Sequence, residues 1–474
     1  MYQGNCNVPT WGRDTSGNVT GLVGASGNLI SIVNKWMTSR RFGPLMTKMP
    51  FAKLKVSSFT QTTGSLAFSS HLEMAVESPF DAVRFVLPNN TNAISGLIGK
   101  CATAAAAGLD PSGNTANADG LTQNNNGTWS SITWDAASSV SWAAGTGVQQ
   151  PTYTVSDMIA QASADRTDSA TQSSLPLIFA RFEIPVAAGV VNIPQWSWDS
   201  DLFGQHGYTG NWGNDVSNVA TDHRFLRNIY QNTAGVTTLA NFTQSTLQCG
   251  IPVCVQYVAR RSGINIMIIG DSVAEGSSPA QSGVSTTRAW GWVHQAAYAE
   301  STQNLPIEVA NFGWGGQTST QYAQRFIDLM KVNDPNGFPV FRPDILVFSP
   351  FTSNDGTPSA ATIATQSANA ARVLSLCQML GILPIIYTGT VVDSYDAPTD
   401  AYRAALVTRI LAMGVSSDFV VMDTASIWGT GASPNRWATG MGCSDGLHPS
   451  DAGKTAAAQS LRALLSYVKA KITG

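Results

Sequence analysis

The second half of the sequence alternates short apolar runs with longer segments of helical pattern, and this alternation limits the possible folds more than any other feature. The apolar runs lie at residues 264–269, 307–311, 344–349, 383–387 and 418–422. The helical segments lie at residues 286–301, 319–332, 361–380, 398–414 and 451–470. Strands that alternate with helices predict a parallel sheet covered by helices on both faces. Because ligands bind at the carboxyl ends of strands in such sheets, the residues that follow each run are the first candidates for a site.

The first half of the sequence lacks this alternation. Up to about Arg260 its segments are short, rich in Val, Ile, Phe, Thr and Trp, and separated by clusters of Gly, Asn, Pro and Ser. Such segments are typical of a β-sandwich or jelly roll. A chain of 474 residues is also longer than one ordinary domain of roughly 100–200 residues. We therefore expect an all-β accessory domain at residues 1–260 and an α/β domain at residues 261–474.

Residues 195–235 form an irregular stretch that is rich in aromatic side chains. A loop of this length in a compact domain often has a function. The apolar faces of sugars stack on aromatic rings, so Trp198 and Trp212, with His206 between them, are candidate substrate-binding residues. The alternative is that these rings pack within the β domain or between the two domains, and the sequence does not decide between the two.

The composition argues against several classes of function. Lys and Arg number 27 and Asp and Glu 30, so the net charge of −3 indicates no basic surface for nucleic acid. No apolar run approaches the roughly 20 residues of a transmembrane helix. The N-terminal residues have neither the basic segment nor the apolar core of a signal peptide. Charged residues make up 12% of the chain, and the abundance of Ser, Thr, Asn and Gly favours an extracellular or surface-associated protein. Nothing in the sequence indicates an oligomeric state.

Six cysteines are scattered along the chain, and none forms a Cys-x-x-Cys pair. The five histidines are also well separated, so the sequence predicts no metal site, and we expect no cofactor. Cys249 and Cys254 flank a Gly-Ile-Pro segment. A hairpin there would bring the two sulfur atoms within bonding distance, whereas a straight strand would hold them apart, and both alternatives stay open.

Four polar or glycine-rich clusters lie where the predicted strands end or where the last helix begins. They are Gly270-Asp271-Ser272, residues 311–319 (NFGWGGQTS), residues 352–356 (TSNDG) and residues 444–453 (SDGLHPSDAG). A serine that cleaves esters requires a base, a carboxylate that orients this base, and hydrogen-bond donors for the oxyanion. Ser272 follows the first strand and His448 can act as its base. Asp445 precedes the histidine by about one helical turn.

Donors for the oxyanion are available in the same clusters. Gly316 can offer a backbone N–H with no side chain in front of it, Asn354 can offer a side-chain N–H, and the backbone N–H of Ser272 would be the third donor. Each motif alone has an ordinary interpretation, since Gly, Asp and Ser are common turn residues. Their occurrence together, in this order along one predicted edge, favours catalysis.

These four clusters resemble the sequence blocks of the SGNH (GDSL-type) hydrolases, and the resemblance covers residues ~263–474. It implies a flavodoxin-like three-layer α/β/α fold and ester hydrolysis through an acyl-enzyme. The site residues it implies are Ser272, Asp445 and His448 as a catalytic triad, and Ser272, Gly316 and Asn354 as the oxyanion hole. One position departs from the pattern, because Thr352 stands where the third block usually has glycine.

The sequence therefore predicts a serine esterase that removes acetyl or other short acyl groups from a carbohydrate or a similar polar substrate. One alternative is a hydrolase of longer lipid-like or aryl esters, and another is an acyltransferase, which uses the same serine chemistry. An alternative from a different class is a carbohydrate-binding or particle-attachment protein whose hydrolase domain is inactive. An intact triad speaks against this last alternative.

Overall fold

The structure, a computed structural model, describes most of the second half of the chain and about half of the first. The described residues are 22–24, 29–39, 42–49, 54–61, 67–104, 129–147, 150–163, 165–168, 173–185, 189–196, 225–231, 250–276, 291–413 and 419–473. The candidate residues Trp198, His206 and Trp212 lie outside them, as does Cys249.

The first part of the chain is rich in strands. Its elements are β1 (Leu22–Gly24), helix α1 (Leu29–Ser39), β2 (Leu45–Lys48), β3 (Leu54–Gln61), β4 (Ala67–Ala75), β5 (Phe80–Asn89), β6 (Ile94–Ala104), β7 (Ser130–Ile132), β8 (Val140–Trp142), β9 (Thr152–Val155), β10 (Ile159–Ala160), β11 (Thr167–Asp168), β12 (Ser173–Ser174), β13 (Leu177–Pro185), β14 (Gly189–Trp196), β15 (Phe225–Gln231) and β16 (Cys254–Ala259).

The second part alternates strands and helices, as its pattern predicts. Its elements are β17 (Ile264–Gly270), α2 (Ser272–Glu275), α3 (Trp292–Glu300), β18 (Ile307–Gly313), α4 (Ser319–Leu329), β19 (Ile345–Phe348), a 3₁₀ turn (Ser353–Asp355), α5 (Ala360–Leu380), β20 (Leu383–Tyr387), α6 (Ala397–Met413), β21 (Val420–Met422), α7 (Thr424–Trp428) and α8 (Asp451–Thr473). All the strands predicted for this part are present.

Strands β17 to β21 form a parallel sheet in the order β18-β17-β19-β20-β21. Counted along the chain, this is the order 2-1-3-4-5 of flavodoxin-like doubly wound sheets. The chain changes direction across the sheet between β17 and β19, and a crevice opens there at the carboxyl ends of the strands. Ser272 follows β17 directly and therefore lies at this crevice.

Helices cover both faces of the parallel sheet, so its strands are buried on both sides. On β17, Ile266 and Ile268 pack in the cluster that contains residues of α1, α3 and α8. Met267 and Ile269 point the other way and pack in the cluster that contains residues of α4 and α5. This alternation along a fully buried strand explains why the run is apolar throughout.

The strand-rich part is antiparallel. One sheet has the order β10-β5-β16-β2 with β9 beside β5, and another has the order β15-β4-β13-β6-β7 with β8 beside β6. Phe85 of β5 and Phe182 of β13 bring the two sheets into contact through rings whose centroids lie 5.7 Å apart. Both rings belong to a core cluster that also contains Phe312 of β18. The two parts of the chain therefore share one hydrophobic core.

The expectation that residues 1–260 are all-β is wrong for residues 29–39, which form helix α1. Strand β1 pairs antiparallel with β21, and α1 packs on the parallel sheet through its buried residues Ile32, Val33 and Trp36. The spacing of these three residues gives one apolar helical face. The pairing of β1 also covers an edge strand that would otherwise present unpaired backbone groups.

The opposite edge of the parallel sheet is also covered by the first part of the chain. Met49, next to β2, donates its N–H to the carbonyl of Val309 at 3.2 Å and accepts the N–H of Asn311 at 2.7 Å. Asn265 of β17 accepts the N–H of Thr47 at 2.8 Å and donates to the carbonyl of Leu45 at 2.9 Å. Backbone and side-chain hydrogen bonds thus fasten β2 to the sheet.

No helix among the described residues is long and apolar enough to cross a membrane. Cys254 carries a free, buried thiol.

Candidate active site

The nucleophile turn, residues 270–275, connects β17 to α2. Gly270 has a φ of 146°, and a Cβ atom there would lie 2.7 Å from the Cβ of Ala274, so the position requires glycine. Asp271 caps α2 by accepting the N–H of Val273 at 3.0 Å. This tight turn presents the partly exposed Ser272 at the carboxyl end of a central strand.

His448 connects Ser272 to Asp445. The Nε2 atom of His448 lies 2.7 Å from the Oγ atom of Ser272, and its Nδ1 atom lies 2.6 Å from Oδ2 of Asp445. An ionised carboxylate can only accept hydrogen bonds, so Nδ1 carries the proton and Nε2 is free to accept the proton of the serine hydroxyl. The structure therefore brings the three predicted residues together in the order that general-base activation of a serine requires.

The loop before α8 donates backbone hydrogen bonds to the carboxylate of Asp445. Its Oδ1 atom accepts the backbone N–H groups of Leu447 at 2.9 Å and His448 at 3.0 Å. Burial acts to raise the pKa of Asp445, but these hydrogen bonds and the one from the His448 ring outweigh it, and the pKa lies below its ordinary value. The carboxylate is thus charged and can stabilise the imidazolium form of the histidine.

Gly316 and Asn354 lie at the same edge of the sheet. Gly316 belongs to the glycine loop, residues 313–318, which follows β18; it is exposed, and nothing lies within 4 Å of the position its Cβ would take. Asn354 belongs to the asparagine turn, residues 352–355, which follows β19. Its Nδ2 atom donates to the carbonyl of Gln317 at 3.0 Å, and the second N–H of this amide is available to a ligand.

Two carboxylates for which the sequence predicted no role, one buried and one partly buried, tie these segments together. Oε2 of Glu275, in the nucleophile turn, accepts the N–H of Gly315 at 2.7 Å. Oδ1 of Asp355, in the asparagine turn, accepts the N–H of Ser319 at 3.0 Å. Glu275 lies on the same helical turn as Ser272. An acidic residue so close to the serine was the only sign in the sequence that this side chain contributes to the site.

Two large side chains of α3 have structural positions. Trp292 is buried in the core beside Tyr387. His294 is buried on the same helix, α3, with its ring next to that of Tyr298. Within the part of the chain that the structure describes, no three His, Cys, Asp or Glu side chains are grouped so that they could hold a metal ion.

The profile of the GDSL-like lipase/acylhydrolase family matches residues 268–456. This range contains Ser272, Gly316, Asn354, Asp445 and His448. No curated protein matches the sequence.

Three solved structures that are similar to this chain each cover less than half of it. A protein of the G-D-S-L family from Desulfitobacterium hafniense has 16% identity over 42% of this chain and 99% of its own, with a TM-score of 0.32. A GDSL-like lipase from Bacteroides thetaiotaomicron has 17% identity over 44% and 87%, with a TM-score of 0.29. An acetylxylan esterase from Geobacillus stearothermophilus has 20% identity over 44% and 94%, with a TM-score of 0.30.

Proposed function

We propose that this carboxylic ester hydrolase, whose residues 268–456 form a GDSL-like lipase/acylhydrolase domain, uses Ser272 to remove short acyl groups from a polar, carbohydrate-like substrate. The observation that carries the proposal is the pair of hydrogen bonds that joins Ser272, His448 and Asp445, at 2.7 and 2.6 Å. These contacts hold the hydroxyl against the imidazole of His448, whose other nitrogen is fixed by a carboxylate.

In the first step, Ser272 Oγ attacks the ester carbonyl carbon while His448 Nε2 takes the hydroxyl proton. The tetrahedral intermediate collapses when the C–O bond of the ester breaks, and His448 gives the same proton to the departing alcohol. The acyl group is then bound to Ser272. Water attacks this acyl-enzyme with His448 as general base, which releases the carboxylic acid and restores the serine.

The oxyanion that forms in each half of the reaction requires donors fixed before the reaction begins. We assign this role to the backbone N–H groups of Ser272 and Gly316 and to the Nδ2 group of Asn354. Ser272 is the first residue of α2, and the first N–H groups of a helix have no partner within it. The bond from Asn354 to Gln317 holds its amide beside the glycine loop.

The open rim of the site supports a polar substrate with a small acyl group. Gly316 and Asn354 are exposed and Ser272 is partly exposed, so these three residues are open to solvent. An exposed site suits an ester carried on a larger molecule such as a polysaccharide.

The strand-rich part supports the same substrate class. We propose that it is a sandwich-like accessory domain and that Trp198, His206 and Trp212 contact sugar rings of the substrate. The low content of charged residues, 12%, fits an extracellular or surface-associated protein that meets such polymers.

The experiment compares p-nitrophenyl acetate, butyrate and octanoate with an acetylated polysaccharide, using the wild type and Ser272→Ala. The proposal expects the highest kcat/KM on acetate among the synthetic esters, acetate release from the polymer, and neither activity in the variant. Preference for octanoate would favour the lipase-like alternative. Transfer of acetyl to an added sugar in place of water would favour an acyltransferase, and a wild type inactive on all esters would mean that the domain has lost its activity.

A further inference from the structure

Thr352 occupies a position where the related sequence pattern has glycine, and the backbone there does not need one. Its φ is −145° and its ψ is 137°, which is extended backbone that any residue adopts. The side chain is 1% exposed. A hydroxyl at this place is therefore accommodated without strain and points into the protein.

The hydroxyl of Thr352 joins two of the segments that form the site. Its Oγ1 atom lies 2.6 Å from Oδ2 of Asp271, and it accepts the backbone N–H of Asn354 at 3.2 Å. The direction of both bonds is fixed, because the single hydroxyl proton goes to the carboxylate and the oxygen lone pair receives the amide. Thr352 thus connects the residue before Ser272 with the backbone of Asn354.

Both ends of this connection are themselves held in place. Asp271 is 7% exposed, and its other oxygen accepts the N–H of Val273. Burial raises the pKa of Asp271, and the bond from Thr352 is the largest influence that opposes this rise. The carbonyl of Thr352 accepts the side-chain amide of Gln366 at 3.1 Å, so the whole residue is anchored to α5.

The connection completes a triangle around the oxyanion position. Glu275 joins the nucleophile turn to the glycine loop, and Asn354 joins the asparagine turn to the same loop through Gln317. Thr352 forms the third side, between the nucleophile turn and the asparagine turn. A donor misplaced by about 1 Å can lower the rate about 100-fold, so a fixed distance between Ser272 and Asn354 matters for turnover.

We propose that Thr352 is a positioning residue that holds the oxyanion donor Asn354 in place relative to Ser272 through its hydrogen bond to Asp271. The proposal rests on the ester-hydrolase function proposed above. Thr352 does not touch the substrate. Its hydroxyl forms the hydrogen bond to Asp271, which a glycine at this position cannot form.

A second threonine in the same sheet provides a matched control. Thr388 follows β20, is 2% exposed, donates its hydroxyl to Oδ1 of Asp423 at 3.2 Å and accepts the N–H of Ala425 at 3.0 Å. Asp423 caps α7 as Asp271 caps α2. The chemistry of the two threonines is the same, but Thr388 is bonded to no residue assigned to the reaction.

The test compares Thr352→Val, Thr352→Ser and Thr388→Val with the wild type and Ser272→Ala. Hydrolysis of p-nitrophenyl acetate gives kcat and KM, and thermal melting gives Tm. We expect Thr352→Val to lower kcat about 10- to 100-fold with little change in KM. Thr352→Ser, which keeps the hydroxyl, should retain most of the turnover. Thr388→Val should lower Tm about as much as Thr352→Val does, but it should not lower kcat.

Equal kcat in Thr352→Val and the wild type would overturn the positioning role, as would an equal fall of kcat in Thr388→Val. If Thr352→Val fails to fold, Thr352→Gly removes the hydroxyl without placing a methyl group against the buried carboxylate, and the same fall in kcat is expected. A wild type without activity, or an active Ser272→Ala variant, would instead overturn the proposed function and the role of Thr352 with it.

Discussion

The two ends of the parallel sheet both hold charged side chains in close contact, but they differ in access to solvent. At the carboxyl end, Ser272 is partly exposed, and Asp445, the partner of His448, has a side chain 26% exposed. At the amino end lies a group that we call the amino-end cluster. It consists of Lys48, Glu77, Arg166, Tyr257, Ser301 and Glu308, all of them 6% exposed or less.

The amino-end cluster joins the two parts of the chain. Lys48 of β2 lies 3.5 Å from Glu308 of β18, and Tyr257 of β16 donates to the same carboxylate at 2.7 Å. Arg166 pairs with Glu77 at 2.9 Å and donates to the carbonyl of Ser301, also at 2.9 Å. Each of these bonds connects different strands or loops, so the cluster fastens the strand-rich part to the sheet.

Close charges and shifted pKa values therefore do not by themselves mark a catalytic site. Burial raises the pKa of Glu308 while the charge of Lys48 acts against this rise, yet no substrate can reach the carboxylate. The carboxyl end differs because the pair of Asp445 and His448 lies against a serine hydroxyl that solvent can reach. Variants at the two ends should therefore separate turnover from stability.

The largest effect on turnover is expected for Ser272→Ala. Removing the nucleophile should lower kcat/KM on p-nitrophenyl acetate by about 10⁴- to 10⁶-fold, because members of a triad act as a unit. The melting temperature should stay close to that of the wild type, since the hydroxyl is partly exposed. Substantial turnover in a folded variant would mean that another group attacks the ester.

Asp445→Asn should have the next largest effect. An amide can donate a hydrogen bond to Nδ1 of His448, whereas the carboxylate can only accept one from it. The tautomer with the proton on Nε2 therefore becomes populated, and kcat should fall by about 10⁴-fold. Steady-state kinetics on the same ester measures this. A fall of less than tenfold would indicate that a different acceptor orients the histidine.

Asn354→Ala should lower kcat by about 10²- to 10³-fold, the usual effect of losing one oxyanion donor. KM should change little, because the donor acts mainly in the transition state. Ser353→Ala, in the same turn, is the control and should keep its turnover. If KM rises while kcat is preserved, Asn354 binds the substrate in its ground state and the assignment is wrong.

Lys48→Met should leave kcat unchanged and lower the free energy of unfolding. Removing one partner of a buried ion pair costs about 3–5 kcal/mol, because the other charge remains buried without compensation. The double variant Lys48→Met/Glu308→Gln should recover part of this loss in denaturant unfolding. A change in kcat in the fully folded Lys48→Met variant would contradict the view that the amino-end cluster affects stability and not turnover.

The smallest effect is a difference in how the two ends respond to pH. The folded pKa of Asp445 lies below its ordinary 3.8, so its contribution to stability is present above that value and is lost as pH falls through the folded pKa. The folded pKa of Glu308 lies above its ordinary 4.5, so stability falls as pH rises from there through the folded pKa. Each group changes the free energy of unfolding by at most about 1.4 kcal/mol per pH unit.

Unfolding measured across pH tests these opposite slopes. Asp445→Asn should flatten the loss of stability on the acid side, and Glu308→Gln should flatten the fall above pH 4.5. Identical pH dependence in both variants and the wild type would contradict the assigned directions.

The parallel sheet and the contacts among Ser272, His448 and Asp445 could be predicted because their signals are local. Each strand is a continuous apolar run, and Ser272, Gly316, Asn354 and the Asp445–His448 pair follow strands or precede a helix. The apolar spacing of α1 was also present in the sequence, but its place on a sheet formed more than 200 residues later was not, because β1 and β21 pair over a long separation.

The amino-end cluster and the role of Thr352 could not be predicted for the same reason. Glu77 and Arg166 lie 89 positions apart, and Thr352 and Asp271 lie 81 apart. Such contacts leave no periodic pattern, because they depend on how separate elements pack. At Thr352 the sequence showed a departure from a pattern, and the structure supplied the hydrogen bond that explains it.

Covalent labelling tests the central claim, that the carboxyl end of the sheet holds a nucleophilic serine activated by His448. The protein is treated with a fluorophosphonate, digested and mapped by mass spectrometry. We predict one adduct, on Ser272, formed at the wild-type rate in Lys48→Met, much more slowly in His448→Ala and not at all in Ser272→Ala. An adduct on another residue, or ester hydrolysis that continues without any adduct on Ser272, would contradict it.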